Sequence, residues 1–176
     1  MKHMARLTAG LVAAAAMVAP SALTTAEAAP PTTSATGQAK QLLKDIAGKD
    51  ARLARLSTSN ALTRLSEGYR TPLLANIGDA QGTLADLKAT VEADSTLDTR
   101  ALRKGLRSFR VENFRIVINV LRQAEVIDET GAADPATLAA VETAALEIDA
   151  TSTKAEIRAV RDQVKAAQDE TEVEVD

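Results

Sequence analysis

One segment of this sequence carries a heptad repeat of apolar residues, which restricts the fold more than any other feature. Its six members are separated by 4, 3, 4, 3 and 4 positions. In an α-helix this spacing aligns the side chains in one stripe, and a stripe of this kind packs against another helix. The segment therefore predicts a long amphipathic helix that uses the following residues in the core: Leu73, Ile77, Ala80, Leu84, Leu87 and Val91.

Helices are also predicted before and after this segment. A first helix is expected over residues 38–67, either regular throughout or irregular near Gly48 or Asn60. The heptad helix is expected to begin at Thr71-Pro72, because proline suits the first helical turn. A third helix is expected over residues 98–128. Residues 116–121 within it are rich in β-branched side chains and would also fit a buried strand, but a single strand has no partner here, so we predict helix.

Two shorter helices complete the pattern. Asp134 followed by Pro135 is typical of a helix start. Thr153 and Glu156 have the spacing of a capping box at the start of a fifth helix, although one kinked helix through residues 151–153 would also fit. The expected fold class is all-α: four to five amphipathic helices, with the second and third as an antiparallel hairpin, in an up-and-down bundle or an extended antiparallel helical hairpin.

The amino-acid composition agrees with helix-on-helix packing. The 176 residues include no cysteine, one tyrosine and two phenylalanines. Without disulfides or many aromatic rings, aliphatic side chains and alanine must form the core, and they suit closely packed helices.

The N-terminus has the pattern of a secretory signal peptide. Basic residues precede an apolar run over residues 7–19, and residues 26–28, Ala-Glu-Ala, supply the small side chains that a signal peptidase requires. Cleavage is predicted after Ala28. It would remove residues 1–28 and with them the only histidine, His3. We therefore expect a secreted protein, either extracellular or associated with the cell surface.

The remaining chain is expected to form one domain. Residues 29–37, rich in proline and threonine, are predicted to be a flexible leader, residues 38–168 a helical bundle, and residues 169–176 an acidic disordered tail. No further apolar run approaches the length that spans a bilayer, so we expect no transmembrane segment in the mature form.

The residue types exclude several kinds of chemistry. Without histidine and cysteine, the mature chain lacks the residues behind most nucleophilic triads and zinc sites. Acidic residues beside Gly131, including Asp128 and Asp134, lack the spacing of a calcium loop and fit helix caps better.

The net charge is −3, and loss of two cations and one anion with the signal peptide makes it −4, which disfavours nucleic-acid binding. We predict no enzyme activity and no catalytic, cofactor-binding or metal-binding residues.

A basic stripe on the predicted third helix is the strongest charged feature. Its five members recur every three or four residues and would lie along one helix face. They could bind an anionic cell-envelope polymer, lipid headgroups or an acidic protein. Alternatively, they could pair with Asp86, Glu92 and Asp94 of the preceding helix. The candidate binding residues are Arg100, Arg103, Lys104, Arg107 and Arg110.

The function expected from these features is that of a secreted, non-enzymatic helical protein acting by surface contact with an anionic envelope component or a protein partner. The alternative is a carrier of a small apolar ligand, or a secreted inhibitor, built on a helical bundle with an apolar pocket. An enzyme using carboxylates would instead require two buried or coupled acids facing a cleft. Self-association is expected only if the heptad stripe is exposed.

Three segments resemble exported, alanine-rich helical proteins of actinobacteria. They are residues 84–89 (LADLKA), 93–99 (ADSTLDT) and 113–117 (NFRIV). In that group a tyrosine usually precedes the arginine of the last segment, whereas this chain has Phe114. The resemblance covers the middle third of the chain. It implies an exported helical bundle and transfers no functional residue.

Overall fold

The computed structural model describes residues 32–94, 97–131 and 133–173, and these residues form helices joined by short connections, with no strand among them. The all-α fold class is therefore confirmed. The predicted signal peptide, residues 1–28, lies outside the described residues. The helices are α1 (Thr32–Ser57), α2 (Asn60–Thr63), α3 (Glu67–Ala93), α4 (Thr99–Ser108), α5 (Glu112–Thr130), α6 (Pro135–Leu146) and α7 (Lys154–Val173).

The predicted pairing of the second and third helices is wrong. The heptad helix, α3, instead forms its most extensive contact with α1, and the two make an antiparallel hairpin in which Gln81 donates a hydrogen bond to Asp50 across 3.2 Å. Helix α4 also packs on α1. Helices α5, α6 and α7 pack on one another, and α3 contacts α6. The two groups share one apolar core.

The heptad stripe of α3 faces this core, as its spacing predicts. Five of its six residues are buried, and Leu87 is half-buried. Phe109 and Phe114 are buried in the same core. Self-association was expected only for an exposed stripe. This stripe is buried within the chain, so it does not predict a dimer.

The predicted continuous third helix is divided into α4 and α5. Phe109 ends α4 with an extended backbone, and α5 begins at Glu112. Partners distant in sequence hold the break: the Arg110 amide donates to the Ala150 carbonyl, and Lys49 donates to the Phe109 carbonyl. The side chains of Phe109 and Val111 are buried at the break. Residues 116–121 are helical, as predicted.

The boundaries of the first two predicted helices also differ from the structure. The segment expected as one helix is divided at residues 58–59, beside Asn60, which was one of the two expected places of irregularity; the other, Gly48, lies within α1. The Ser59 hydroxyl accepts from the Leu62 amide and caps the short α2. Helix α3 begins at Glu67 and not at Thr71-Pro72. Pro72 lies in its second turn, so its missing N–H removes only one hydrogen bond near the helix start.

Both predicted caps of the later helices are confirmed. Asp134 accepts a hydrogen bond from the Ala136 amide at the start of α6. At α7, the Thr153 amide donates to Glu156 across 2.6 Å, and the Glu156 amide donates to the Thr153 hydroxyl across 3.3 Å. Helices α6 and α7 are separate, so the continuous kinked alternative is excluded. Gly131 ends α5 with φ of 67°, a conformation that favours glycine.

Helix extends into both segments that were expected to be unstructured. Helix α1 includes residues 32–37 of the predicted leader, and α7 includes residues 169–173 of the predicted tail. Each extension continues a long amphipathic helix by one or two turns, which costs less than starting a new helix. Across the described ranges, no helix combines the length and the apolar character that crossing a bilayer requires.

Candidate functional site

The structure divides the five predicted binding residues by position. Arg100, Lys104 and Arg107 are exposed on α4, Arg103 is half-buried, and Arg110 is exposed just beyond the end of the helix. Of the five, Arg103 and Arg107 line the groove between α1 and α4.

This groove lies between α1 and α4 and has a volume of about 590 Å³. We call it the α1–α4 groove. Helix α1 contributes Lys44, Lys49 and Arg52, and α4 contributes Arg103 and Arg107. Asp45 is the one carboxylate among the described residues that line it. Five cations therefore surround one concave surface in a chain whose net charge is −3, and their summed potential attracts anions.

Arg103 is held between the two helices. Its Nη2 atom donates to the Gln38 carbonyl across 3.2 Å, whereas its Nε atom is buried and makes no hydrogen bond. The Thr99 hydroxyl donates to the side-chain Oε1 atom of the same Gln38 across 3.0 Å. These contacts fix α4 against α1, and they leave a guanidinium donor of the groove unsatisfied.

Lys49 lies deeper than the other α1 cations. Its Nζ atom donates to the Phe109 carbonyl across 2.6 Å and lies 5.9 Å from the centre of the Phe109 ring. Burial lowers the pKa of Lys49 below its usual 10.5, and the nearby Glu112 carboxylate opposes this pKa shift. Lys49 joins α1 to the break between α4 and α5.

A second groove of about 510 Å³ adjoins the first, because Arg52 lines both. We call it the α1–α5 groove. Arg55 of α1 and Arg115 of α5 add further cations, and Glu112 adds a carboxylate. Arg52 and Glu112 form an ion pair of 3.4 Å in which the side chains are 63% and 62% exposed. The groove also has apolar lining residues: Leu56, Ala61, Val111 and Ile118.

Helix α4 packs on α1, whereas α3 packs on α1 and α6. Of the three acidic residues of the preceding segment that could pair with the basic stripe, Glu92 forms an ion pair of 3.8 Å with Lys88 of its own helix.

The carboxylates of the described residues lie largely in solvent. Glu125 and Glu142 are half-buried, and the other described Asp and Glu side chains with an assigned burial are exposed. Burial, followed by the negative charges of Glu142, Asp128 and Glu125, raises the pKa of Tyr69 above its usual 10.0. Glu125 also accepts from the Ser66 amide across 2.6 Å and so positions the start of α3. No buried carboxylate pair faces a cleft within the described residues, and none of their acidic clusters is arranged for a metal ion.

Sequence reasoning missed the contribution of α1 to the grooves. Lys44, Arg52 and Arg55 were not among the predicted binding residues. Lys44 and Arg55 are 11 positions apart, close to three whole turns of an α-helix, so they share one face. Which helix packs beside that face depends on contacts distant in sequence.

The fold and the grooves define a helical bundle with a concave basic surface. Comparisons with known proteins found no matching family model, no similar curated protein and no similar solved structure.

Proposed function

We propose that this chain is an exported, non-enzymatic helical protein that acts by surface contact with an anionic component of the cell envelope. The observation that supports this proposal best is the α1–α4 groove, in which five cations and one carboxylate line a concave surface. Five converging cations repel one another and reduce stability unless counter-ions approach them. An anionic partner would supply these counter-ions.

Export rests on the signal-peptide pattern, and the resemblance to exported actinobacterial proteins agrees with it. We expect the full chain, expressed in a secreting Gram-positive host, to reach the medium or the cell surface with Ala29 as its N-terminal residue. Edman sequencing or intact mass would check this. Retention inside the cell with Met1 in place would contradict export.

Binding is tested by sedimenting the purified protein with cell-wall preparations and with anionic lipid vesicles at low and high salt. Salt screens interactions between exposed charges, so the bound fraction should fall as the ionic strength rises. The double variant Lys44→Glu/Arg107→Glu should lose binding, because it reverses two exposed cations on opposite walls of the α1–α4 groove. Arg103→Glu/Arg107→Glu should lose it too, provided that circular dichroism shows an intact fold.

The matched control reverses two exposed arginines of α7, Arg158 and Arg161, which do not line either groove. This control changes the net charge by the same amount and should bind as the wild type does. Equal losses in both double variants would indicate an effect of net charge alone and would contradict a groove site.

A second candidate function is the binding of a small apolar ligand. The observation in its favour is the apolar lining of the α1–α5 groove by Leu56, Val111 and Ile118. Three arginines line the same groove, so an apolar ligand would lie beside charged side chains. Saturable binding of an uncharged apolar fluorophore, abolished by Ala61→Asp at an exposed position of the groove lining, would favour this function over contact with an anion.

A further inference from the structure

We infer that the two grooves act as one channel that binds a linear anionic polymer of the cell envelope lengthwise along α1. This inference rests on the proposed function and deepens it, because it names the form and the extent of the anionic partner. The channel consists of the α1–α4 groove and the α1–α5 groove.

The two grooves meet at Arg52. This residue lines both of them, and its side chain is 63% exposed, so a ligand in either groove can reach it. The combined lining contains seven cations and two carboxylates, Asp45 and Glu112. A positive surface therefore continues beyond the stripe of α4.

The length of the channel favours a chain over a single anion. Lys44 and Arg55 are 11 positions apart on α1, which corresponds to about 16 Å along the helix at about 1.5 Å per residue. Lys49 and Arg52 lie between them, so successive cations are separated by about 4.5 to 7.5 Å along the axis. Arg107 and Arg115 stand on the opposite wall. A single phosphate would contact a small part of this array, whereas a polymer with regularly repeated charges can contact its whole length.

The concave shape favours a polymer over a membrane surface. A flat layer of headgroups would meet outward-facing cations of α4, such as Arg100 and Lys104, which are exposed and lie outside the grooves. Arg103 and Lys49, by contrast, are recessed between helices and hydrogen-bonded to main-chain carbonyls. A narrow chain can approach these residues from within the groove.

Glu112 opposes an anionic ligand at the junction of the grooves. It forms the 3.4 Å ion pair with Arg52, and an exposed pair of this kind contributes little to stability. A bound polymer would compete with Glu112 for Arg52. The isosteric variant Glu112→Gln should therefore bind the polymer more tightly, because it removes both the competing ion pair and a repulsive charge.

The test measures binding of the purified protein to fluorescent poly(glycerol phosphate) of two lengths by anisotropy. The short probe cannot reach from Lys44 to Arg55, and the long probe exceeds that distance. Arg55→Glu/Arg115→Glu reverses two exposed cations at one end of the channel and should lower the affinity for the long probe by about tenfold or more. It should affect the short probe much less, since the α1–α4 groove remains.

Arg100→Glu/Lys104→Glu, outside the grooves, is the matched control and should lower the affinity for the long probe by less. Thermal unfolding checks that each variant folds.

The remaining outcomes distinguish failure of the channel inference from failure of the proposed function. If Arg55→Glu/Arg115→Glu binds the long probe as the wild type does while Lys44→Glu/Arg107→Glu does not, the channel is overturned and contact through the α1–α4 groove stands. Binding to phosphatidylglycerol vesicles alone, lost in Arg100→Glu/Lys104→Glu, would also overturn it in favour of a membrane surface. Unchanged or weaker binding by Glu112→Gln would overturn the predicted competition. No binding to polymer, cell wall or vesicles would overturn the proposed function itself.

Discussion

Lys49 of α1 donates a hydrogen bond to the carbonyl of Phe109, the residue that ends α4, across 2.6 Å. The two residues are 60 positions apart in the sequence. Their contact satisfies a main-chain acceptor at a point where the helical hydrogen-bond pattern is interrupted. It also fixes the position of α4 beside α1, and this position creates the α1–α4 groove.

Lys49→Met should lower the free energy of unfolding by about 1–3 kcal/mol, because it leaves a partly buried carbonyl without its charged donor. Urea denaturation measures this change. Lys44→Met, an exposed substitution on the same helix, is the control and should change stability by less than about 0.5 kcal/mol. Equal effects of the two substitutions would show that the bond to Phe109 has no special role.

Lys49 should lose its proton at a lower pH than an exposed lysine does. Burial lowers its folded-state pKa below 10.5, so between that pKa and 10.5 the unfolded chain binds more protons than the folded one. The contribution of Lys49 to the free energy of unfolding therefore rises with pH across this interval. An NMR titration of the lysine side chains should give Lys49 a midpoint below those of the exposed lysines. A midpoint above 10.5 would contradict the burial seen here.

Tyr69, the only tyrosine, should lose its phenolic proton at a higher pH than an exposed tyrosine does. Burial and the charges of Glu142, Asp128 and Glu125 raise its folded-state pKa above 10.0. Above pH 10 the folded chain therefore retains the phenolic proton longer than the unfolded chain, and stability falls as pH rises. Absorbance at high pH follows this single group directly while circular dichroism monitors the fold. Glu142→Gln should lower the midpoint, and a wild-type midpoint at or below 10.0 would contradict this environment.

Asn113 joins the start of α5 to the connection before α7. It is 2% exposed, and its side-chain amide donates to the Asp149 carbonyl at 2.8 Å and the Ser152 carbonyl at 3.1 Å. Asn113→Ala should cost about 1–3 kcal/mol, because two acceptors lose a buried donor. Asn119→Ala, at an exposed position of the same helix, is the control. A loss in Asn113→Ala no larger than in this control would contradict the bridging role.

Substitutions at Leu84 test whether the heptad stripe faces the core of the chain. It is 1% exposed, so Leu84→Ala should cost about 2–5 kcal/mol, and Leu84→Glu should unfold the chain. Ala85→Glu, at the exposed neighbouring position, should leave a folded protein. Gel filtration and circular dichroism distinguish these outcomes. A folded Leu84→Glu variant that only changes oligomeric state would show that the stripe is an intermolecular surface.

Local patterns predicted the elements that depend on local interactions. The stripe of α3 and the caps at Asp134 and Thr153 depend on residues no more than four positions apart, and the structure confirms them. The helix over residues 116–121 was also predicted correctly, because its apolar residues could pack against other helices even though they favour strands.

The features that the sequence did not reveal depend on distant partners. No glycine or proline lies between α4 and α5, and their break is held by Lys49 and by the Ala150 carbonyl. For the same reason the partner of α3 was assigned incorrectly. Two residues of the predicted basic stripe, Arg103 and Arg107, line the α1–α4 groove, but the opposite wall belongs to a helix more than 50 positions earlier.

The most direct test of the proposed binding surface is a ¹H–¹⁵N NMR titration of the purified protein with the long poly(glycerol phosphate) chain. We expect the largest shift changes in the α1 segment 44–55, at Arg103 and Arg107 of α4, and near Arg115 of α5, with reversal at high salt. Shift changes confined to α6 and α7, or none at saturating polymer, would contradict a basic groove that binds an anionic partner.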